Sequence, residues 1–255
     1  MIIPNDIYRP YDAINASLLK SVLSHSYHKA IIPINPTPAM QLGTNIHCCI
    51  LEPYKWASDY CRLSDGIDLR TKAGKAEKAD AESSGKIALK ADDFDMIENI
   101  AALTKSYSQI AEYFHEDTMT EVSMTFHLPE YPNLEFKSQI DLYDPKTKSL
   151  VDLKTTADIT LAEKKFNDLH YALQLRFYQH ALEANGYQVD HVSVLFVEAQ
   201  PPHTPALFHL TDSMLEVGES HIHKALGRYL EEKMLDKPRL IIRTLDAPSW
   251  FKDQK

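Results

Sequence analysis

The sequence predicts a mixed α/β fold, in which a central β-sheet is flanked by helices and preceded by a mainly helical N-terminal part. Apolar residues recur at helical spacing in the first 115 residues, and the pattern changes to strand-like alternation after residue 121. A long helical stretch then separates these strands from further strands. This order is not a regular βαβ repeat, so we expect a mixed sheet rather than a purely parallel one.

Composition is that of a soluble globular protein, with 44% hydrophobic and 25% charged residues in a chain of 255. We expect one domain over 1–255, with a mainly helical part at 1–115, a sheet core at 116–211, and a terminal helix and tail at 212–255. No stretch reaches the 18 or so consecutive apolar residues of a membrane span, and the N-terminus lacks a signal-peptide pattern. A cytoplasmic location is therefore expected.

The pattern of the N-terminal half predicts helices joined by polar connections. Asn15 is suited to cap a first helix, and a second helix is predicted over 39–51. Residues 54–90 are polar and contain three glycines, which predicts a long, mobile connection with one short helix. Asp92 or Asp93 then begins another helix, whose apolar residues recur at helical spacing.

The centre of the chain reads as three neighbouring strands. Apolar and polar residues alternate over 122–128 and 134–142, and 150–153 forms a third short run. A tight connection at 144–146 joins the second and third runs. These strands should pair as an antiparallel meander.

The C-terminal half returns to a helix, strands and a last helix. A long helix is predicted over 161–184, followed by a continuous apolar strand at 191–198 that suits the interior of a sheet. A further strand is predicted at 206–210, and a final helix at 212–235. These elements complete the mixed sheet and its helical cover.

Two aspartates and a lysine are placed to form a metal-dependent site. Asp141 ends one predicted strand and Asp152 lies in its antiparallel neighbour, so their carboxylates can converge. Two carboxylates a few ångströms apart repel each other unless a cation lies between them, and oxygen ligands favour Mg²⁺ or Mn²⁺. Lys154 points to the same face as Asp152, because side chains repeat every second residue in a strand.

This arrangement suits phosphodiester hydrolysis, in which a cation activates water and an ammonium group stabilises the developing charge. An isolated D-x-K tripeptide is common, however, and is usually a solvated strand segment. The motif alone is therefore weak, and its sequence context decides the interpretation.

Several further motifs resemble one nuclease family. The run VDLKTTAD at 151–158, preceded by Asp141, resembles the core of RecE-like exonucleases of the PD-(D/E)xK superfamily. The run LGTNIHCCILEP at 42–53, the Q-x-x-x-Y spacing at 174–178 and RTLDAPSWFKD at 243–253 resemble other parts of that family in the same order. The resemblance covers nearly the whole chain, and it implies a PD-(D/E)xK nuclease core with an N-terminal helical extension.

The resemblance also implies roles for individual residues. The implied metal ligands are His47, Asp141, Asp152 and the backbone carbonyl of Leu153. The implied catalytic residues are Lys154, Asp152, Asp141 and Glu121, the last of which matches a glutamate in related exonucleases. The implied DNA contacts are Gln174, Tyr178, Thr155, Thr156 and Lys137. Gln174 and Tyr178 share one helix face and would contact the DNA backbone or brace Lys154.

The chain departs from the family pattern just ahead of Asp141. RecE-like sequences often carry an arginine there, whereas this chain has Lys137 and Gln139. Either residue can substitute as a phosphate contact, but neither offers the two-point grip of a guanidinium.

By this resemblance, the protein is expected to be a Mg²⁺-dependent exodeoxyribonuclease, with Mn²⁺ as a substitute. It would degrade one strand of linear double-stranded DNA from its ends, in the 5′ to 3′ direction, and leave 3′ overhangs for recombination by strand annealing. The expected partners are double-stranded DNA ends, further copies in a homo-oligomeric ring, and a single-strand annealing protein.

Other readings stay open. The same centre would serve a structure-specific or restriction-type endonuclease, and the fold alone would serve a catalytically inert DNA-binding or assembly module. An iron-sulfur cluster is not expected, because the chain has three cysteines where four are needed. The formal net charge of −9 argues against a protein that coats nucleic acid, although it does not exclude DNA as a substrate.

Overall fold

The computed structural model describes residues 1–240 and 242. The helices are α1 (Asn5–Tyr8), α2 (Ala16–Ser24), α3 (Tyr27–Ala30), α4 (Pro38–Leu51), α5 (Pro53–Asp59), α6 (Lys72–Ser83), α7 (Ala91–Ser106), α8 (Ser108–Ala111), α9 (Ala162–Asp168), α10 (Tyr171–Ala184) and α11 (Asp212–Lys233). The strands are β1 (Tyr60–Arg62), β2 (Ile87–Leu89), β3 (Met119–Leu128), β4 (Tyr131–Asp144), β5 (Ser149–Thr156), β6 (His191–Glu198) and β7 (Pro205–His209).

A five-stranded mixed sheet with the order β3-β4-β5-β6-β7 forms the centre of the protein. Strands β3, β4 and β5 are antiparallel, as the predicted meander requires, whereas β5 and β6 are parallel and β7 is antiparallel to β6. Ladder pairing between β4 and β5 covers only the stretch from Leu142 opposite Val151 to Asp144 opposite Ser149. The ladder therefore ends at Leu142, and the two strands separate at Asp141.

Helices cover the sheet in two hydrophobic clusters. One cluster packs α2, α10 and α11 against the sheet, with Leu19, Phe177 and Phe196 fully buried at its centre. The other packs α4, α5 and α7 against the sheet, with Ile46 and Ile100 fully buried. This arrangement of a mixed sheet flanked by helices confirms the predicted α/β fold class.

Most of the predicted elements occur within a few residues of their expected positions. Asn15 caps α2 by accepting a hydrogen bond from the backbone N–H of Leu18 at 2.8 Å. Helix α4 covers the stretch predicted at 39–51, and β6 covers the stretch predicted at 191–198. The run at 243–253, which carried part of the family resemblance, lies outside the described residues.

Two expectations from the sequence are wrong. The helix predicted over 161–184 is divided into α9 and α10 by His170, whose φ of 52° lies in the left-handed region. Apolar spacing continues on both sides of His170, so periodicity does not reveal the break. The connection over 54–90 contains α5, β1, α6 and β2, because the Ala, Lys and Glu residues of α6 favour helix without any apolar stripe.

The first 14 residues, here called the N-terminal segment, lie along the sheet. Ile2 bridges to Met124 in β3, and Ile14 bridges to Phe136 in β4. The segment therefore crosses from one strand to the next beside the separation of β4 and β5. In the part of the chain that the structure describes, no helix combines the length and the apolar character needed to span a bilayer.

Candidate metal centre and active site

Three carboxylates lie side by side on three neighbouring strands. The ladder pairs on either side place Glu121 of β3 directly opposite Asp141 of β4. On the other side of β4, the ladder ends with Leu142 opposite Val151, so Asp152 of β5 follows at the level of Asp141. Neighbouring strands are about 4.8 Å apart, and like charges at such positions destabilise a sheet unless a cation compensates them.

Asp141 is fixed by the end of the β4–β5 ladder. Its Oδ2 accepts a hydrogen bond from the backbone N–H of Leu153 at 2.8 Å, so the carboxylate takes the place of a strand carbonyl. Burial raises the pKa of Asp141, and the charge of Lys154 and the Leu153 N–H offset only part of that rise. The metal-free site therefore lacks enough positive charge for its carboxylates.

The backbone of Glu121, which lies opposite Asp141, has an unusual conformation. Its φ is 50°, in the left-handed region that residues other than glycine rarely adopt. Its carbonyl accepts a hydrogen bond from the Asn5 side chain at 2.9 Å. Burial, followed by the charges of Asp141 and Glu52, raises the pKa of Glu121 to about 8. Backbone strain combined with an uncompensated carboxylate is typical of a functional position.

His47 comes from α4, which approaches β5 closely at a glycine. A Cβ on Gly43 would lie 2.9 Å from Thr155 Oγ1, so a larger residue there would push the helix away. One helical turn later, His47 Nδ1 lies 3.9 Å from Asp141 Oδ2. Burial and the charge of Lys154 lower the pKa of His47 to about 4, so the imidazole is neutral at pH 7 and able to ligate a metal.

His47, Glu121 and Asp141 together form a group that fits a divalent cation. One ligand atom from each residue lies within 4.8 Å of the other two. Carboxylate oxygens with one imidazole nitrogen suit Mg²⁺ or Mn²⁺, and the raised carboxyl pKa values fit a site that a cation completes. The group contains two of the predicted ligands, together with the glutamate that was predicted as catalytic.

Asp152 lies beside this group and is engaged by other partners. Its Oδ2 is 2.5 Å from Lys154 Nζ, and its Oδ1 accepts a hydrogen bond from Gln174 Nε2 at 3.2 Å. Burial raises the pKa of Asp152 to about 6, partly offset by Lys154. Burial acts to lower the pKa of Lys154, but the charges of Asp152 and Asp141 outweigh it, so the ammonium stays charged at neutral pH.

Gln174 and Tyr178 face the protein interior. Both are buried on α10, and Gln174 Nε2 donates to the Tyr178 hydroxyl at 2.9 Å as well as to Asp152. The structure therefore brings Gln174 to the carboxylate row rather than to the surface. The two roles predicted for this pair were contact with the DNA backbone and bracing of Lys154. Their buried position matches the second, although Gln174 reaches Lys154 only through Asp152.

The remaining predicted DNA contacts divide between the cleft and the interior. Thr155 lines the cleft beside the carboxylates. Thr156 is buried, and its hydroxyl donates to the carbonyl of Asp158 and accepts from Lys165 Nζ. Lys137 is also buried, and its ammonium donates to backbone carbonyls of the N-terminal segment. Thr156 and Lys137 are thus not brought to the cleft surface.

Lys20 of α2 is a site residue that the sequence did not reveal. Its Nζ donates to Gln174 Oε1, and it lies 4.7 Å from the centre of the Tyr171 ring. The Lys154 ammonium lies 5.1 Å from the same ring centre. Burial and the charge of Lys154 lower the pKa of Lys20 to about 7. No local pattern marks this lysine, because the residues that it contacts come much later in the chain.

A cavity of about 730 Å³, here called the metal cleft, opens onto the candidate ligands. The side chains that line it and bear on its chemistry are Arg9, His47, Glu121, Gln139, Asp141 and Thr155. The cleft therefore opens the ligand group to solvent.

The fold has a counterpart among solved structures. A crystal structure from Eubacterium rectale, of a protein assigned as an exonuclease, has a TM-score of 0.64 at 16% identity, covering 96% of this chain and 97% of that chain. A phage related exonuclease from Haemophilus somnus has a TM-score of 0.38 at 13% identity, covering 90% and 100%. The first likeness shows the fold alone, and the second is too weak to support an argument.

Sequence comparison identifies the family. No curated protein matches the chain. The profile described as a PDDEXK-like domain of unknown function (DUF3799) matches residues 17–238, which is most of the chain and includes every candidate ligand. The protein therefore belongs to this family of PDDEXK-like domains.

Proposed function

We propose that the protein is a divalent-metal-dependent deoxyribonuclease. The observation that carries the proposal is the convergence of His47, Glu121 and Asp141 beside a charged lysine on the next strand. A site built only for stability would not leave the half-buried Glu121 and the buried Asp141 beside each other with raised pKa values. Family membership supports the same conclusion, and we assign the PD-(D/E)xK motif of the family to Asp141, Asp152 and Lys154.

His47, Glu121 and Asp141 would hold the cation, and a cation there activates water and stabilises charge on the phosphate. Lys154 remains protonated, so it acts as a positive charge near the reacting phosphate rather than as a proton acceptor. Asp152 and Gln174 keep the lysine side chain in place beside the carboxylates. The backbone carbonyl of Leu153 is a further proposed ligand.

The finer proposal is a RecE-like exonuclease that degrades one strand of linear duplex DNA from 5′ to 3′. It is supported by the order of the motifs along the chain, and by the exonuclease assignment of the Eubacterium rectale protein, which has the same fold. With it we propose a homo-oligomeric ring around DNA, Mg²⁺ or Mn²⁺ as the cation, and a single-strand annealing protein as the functional partner.

A linear-versus-circular assay tests the proposal. Purified protein with Mg²⁺ should release nucleotides from linear duplex DNA and spare closed circles, and labels on each end report the polarity. Asp152→Ala should abolish release while the circular dichroism spectrum stays native. Equal cutting of circles would reject the exonuclease in favour of an endonuclease. DNA binding without hydrolysis, in Mg²⁺ and in Mn²⁺, would indicate an inert binding module.

A further inference from the structure

Lys137 organises the N-terminal segment from inside the protein. Its ammonium donates to the backbone carbonyls of Tyr8 at 2.8 Å, Arg9 at 3.4 Å and Tyr11 at 2.6 Å. It also lies 4.8 Å from the centre of the Tyr8 ring. An ammonium group has three donors, so these three carbonyls use all of them. The backbone on both sides of Arg9 is therefore tied to strand β4.

The ends of the N-terminal segment are also fixed. The backbone N–H of Ile3 donates to the carbonyl of Ser123 at 2.9 Å, and that of Ile14 donates to the carbonyl of Glu135 at 3.1 Å. The segment is held at its start, middle and end, so the position of Arg9 is set by the sheet. Fixed backbone of this kind favours a side chain that must meet a ligand in one geometry.

Arg9 brings a positive charge to an acidic cleft. Its side chain is exposed and lines the metal cleft, whose carboxylates are Asp6, Glu52, Glu121 and Asp141. Among the described residues that line this cleft, the other basic side chain is Lys55, which lies 3.0 Å from Glu52. Within residues 1–240, no ion pair joins Arg9 to a carboxylate. The described part of the chain therefore leaves the guanidinium donors to a ligand.

We infer that Arg9 binds a backbone phosphate of DNA in the metal cleft and that Lys137 is the positioning residue that holds it there. A guanidinium grips a phosphate through two parallel hydrogen bonds, which a lysine cannot do. The lysine that replaces an expected arginine on β4 thus acts through Arg9 rather than by touching DNA. This inference rests on the proposed function, because it requires DNA to occupy the cleft.

The test measures DNA binding by Arg9→Gln over a series of salt concentrations. The probe is a fluorescent duplex oligonucleotide, with Ca²⁺ in place of Mg²⁺ to suppress cleavage. Loss of one phosphate contact should lower the slope of log K against log salt by about 0.9. The affinity should fall roughly ten-fold, the lower range for a hydrogen bond to a charged group. Arg9→Lys should keep most of the slope but lose part of the affinity.

A matched control is Arg70→Gln, which removes an exposed arginine that pairs with Asp68 at 2.9 Å outside the cleft. It should bind DNA like the wild type. Lys137→Met should lower the affinity as Arg9→Gln does, and combining the two changes should add little. If Lys137→Met binds DNA like the wild type, the positioning role of Lys137 is refuted. If it fails to fold, Lys137→Gln, which keeps donors for the carbonyls, replaces it in the same measurement.

The two proposals fail in different ways. If the wild type cleaves DNA while Arg9→Gln retains its affinity and salt slope, the phosphate contact is refuted and the nuclease stands. If Arg70→Gln weakens binding as much as Arg9→Gln, the effect is one of general charge and the inference is likewise overturned. A wild type that neither binds nor cleaves DNA refutes the proposed function and the inference together.

Discussion

Asp141 and Asp144 lie three residues apart in β4, and both are buried, but their surroundings differ in kind. Asp144 Oδ1 is bonded to the backbone N–H of Lys146 at 2.8 Å and to His115 Nε2 at 2.9 Å, and its Oδ2 accepts from Thr147 Oγ1 at 2.5 Å. Burial acts to raise the pKa of Asp144, but these hydrogen bonds outweigh it and the pKa is lowered. Asp144 is a carboxylate whose charge the protein itself satisfies.

Asp141 has one backbone donor, from Leu153, and faces two other carboxylates, and its pKa is raised. The hydrogen-bond donors around each carboxylate therefore distinguish a structural from a functional buried aspartate within one strand. A carboxylate with a complete set of donors stabilises the fold. A carboxylate whose neighbours are acids needs a cation from outside, and therefore marks a site.

The largest expected effect comes from Asp141→Asn. Removing a ligand charge should reduce DNA hydrolysis by roughly 10³-fold. The melting temperature of the metal-free protein should stay unchanged or rise, because the substitution relieves repulsion between carboxylates. Hydrolysis rates and calorimetry check both parts, and a large loss of stability would show that Asp141 is structural like Asp144.

Lys154→Met should lower hydrolysis by about 10²-fold, because the charge that stabilises the reacting phosphate is lost. Divalent metal should still bind, since Lys154 is not among the three ligand residues. Isothermal titration with Mn²⁺ measures binding separately from the rate. Lost binding would assign the lysine to the metal centre instead of to catalysis.

Asp144→Asn should lower stability and leave the rate of hydrolysis unchanged, which is the opposite of the effect expected for Asp141→Asn. It removes a charged acceptor from three hydrogen bonds, which should lower the free energy of unfolding by ~2 kcal/mol. The rate at saturating DNA, measured below the new melting temperature, should remain that of the wild type. If Asp144→Asn lowered the rate of hydrolysis without lowering stability, Asp144 would be a functional residue like Asp141.

The pH dependence of stability tests whether the carboxylates beside Asp141 lack a compensating charge. Glu121 has a pKa of about 8 in the folded, metal-free protein, above the ordinary value of 4.5. In this window the folded state binds a proton that the unfolded state has released, so stability falls as pH rises towards 8. The melting temperature should therefore drop between about pH 5 and pH 7, and the raised pKa values of Asp141 and Asp152 add to this fall.

Excess Mg²⁺ should reverse this fall, because a bound cation stabilises the ionised carboxylates. Glu121→Gln should make the fall in the metal-free melting temperature smaller over the same range, while Asp152, whose pKa is raised to about 6, still contributes to it. A fall of the same size in the wild type and in Glu121→Gln would contradict the raised pKa of Glu121.

Local patterns were enough to predict the meander, α4, β6 and the approach of Asp141, Asp152 and Lys154. Each of these follows from alternation along a strand or from spacing along a helix. The role of Glu121 depends on ladder register and on a left-handed backbone conformation, which a strand pattern does not encode.

The site predictions that differ from the structure concern residues whose burial depends on tertiary packing. Lys137 and Thr156 have polar side chains that looked available, but tertiary packing directs them inward to backbone carbonyls. Lys20 reaches Gln174 across 154 residues of sequence, so it appears only when the chain is folded. Long-range contacts of this kind have no signature in a single sequence.

The backbone bond from Leu153 to Asp141 makes one amide proton a reporter of the site. This N–H is held by a side-chain carboxylate rather than by a neighbouring strand, so a change in that oxygen's electron density reaches the amide directly. The Leu153 ¹⁵N resonance should therefore move on titration with a diamagnetic divalent ion, before any nucleic acid is added. The shift of this one NMR peak would then measure the fraction of protein with a divalent ion bound, in the absence of DNA.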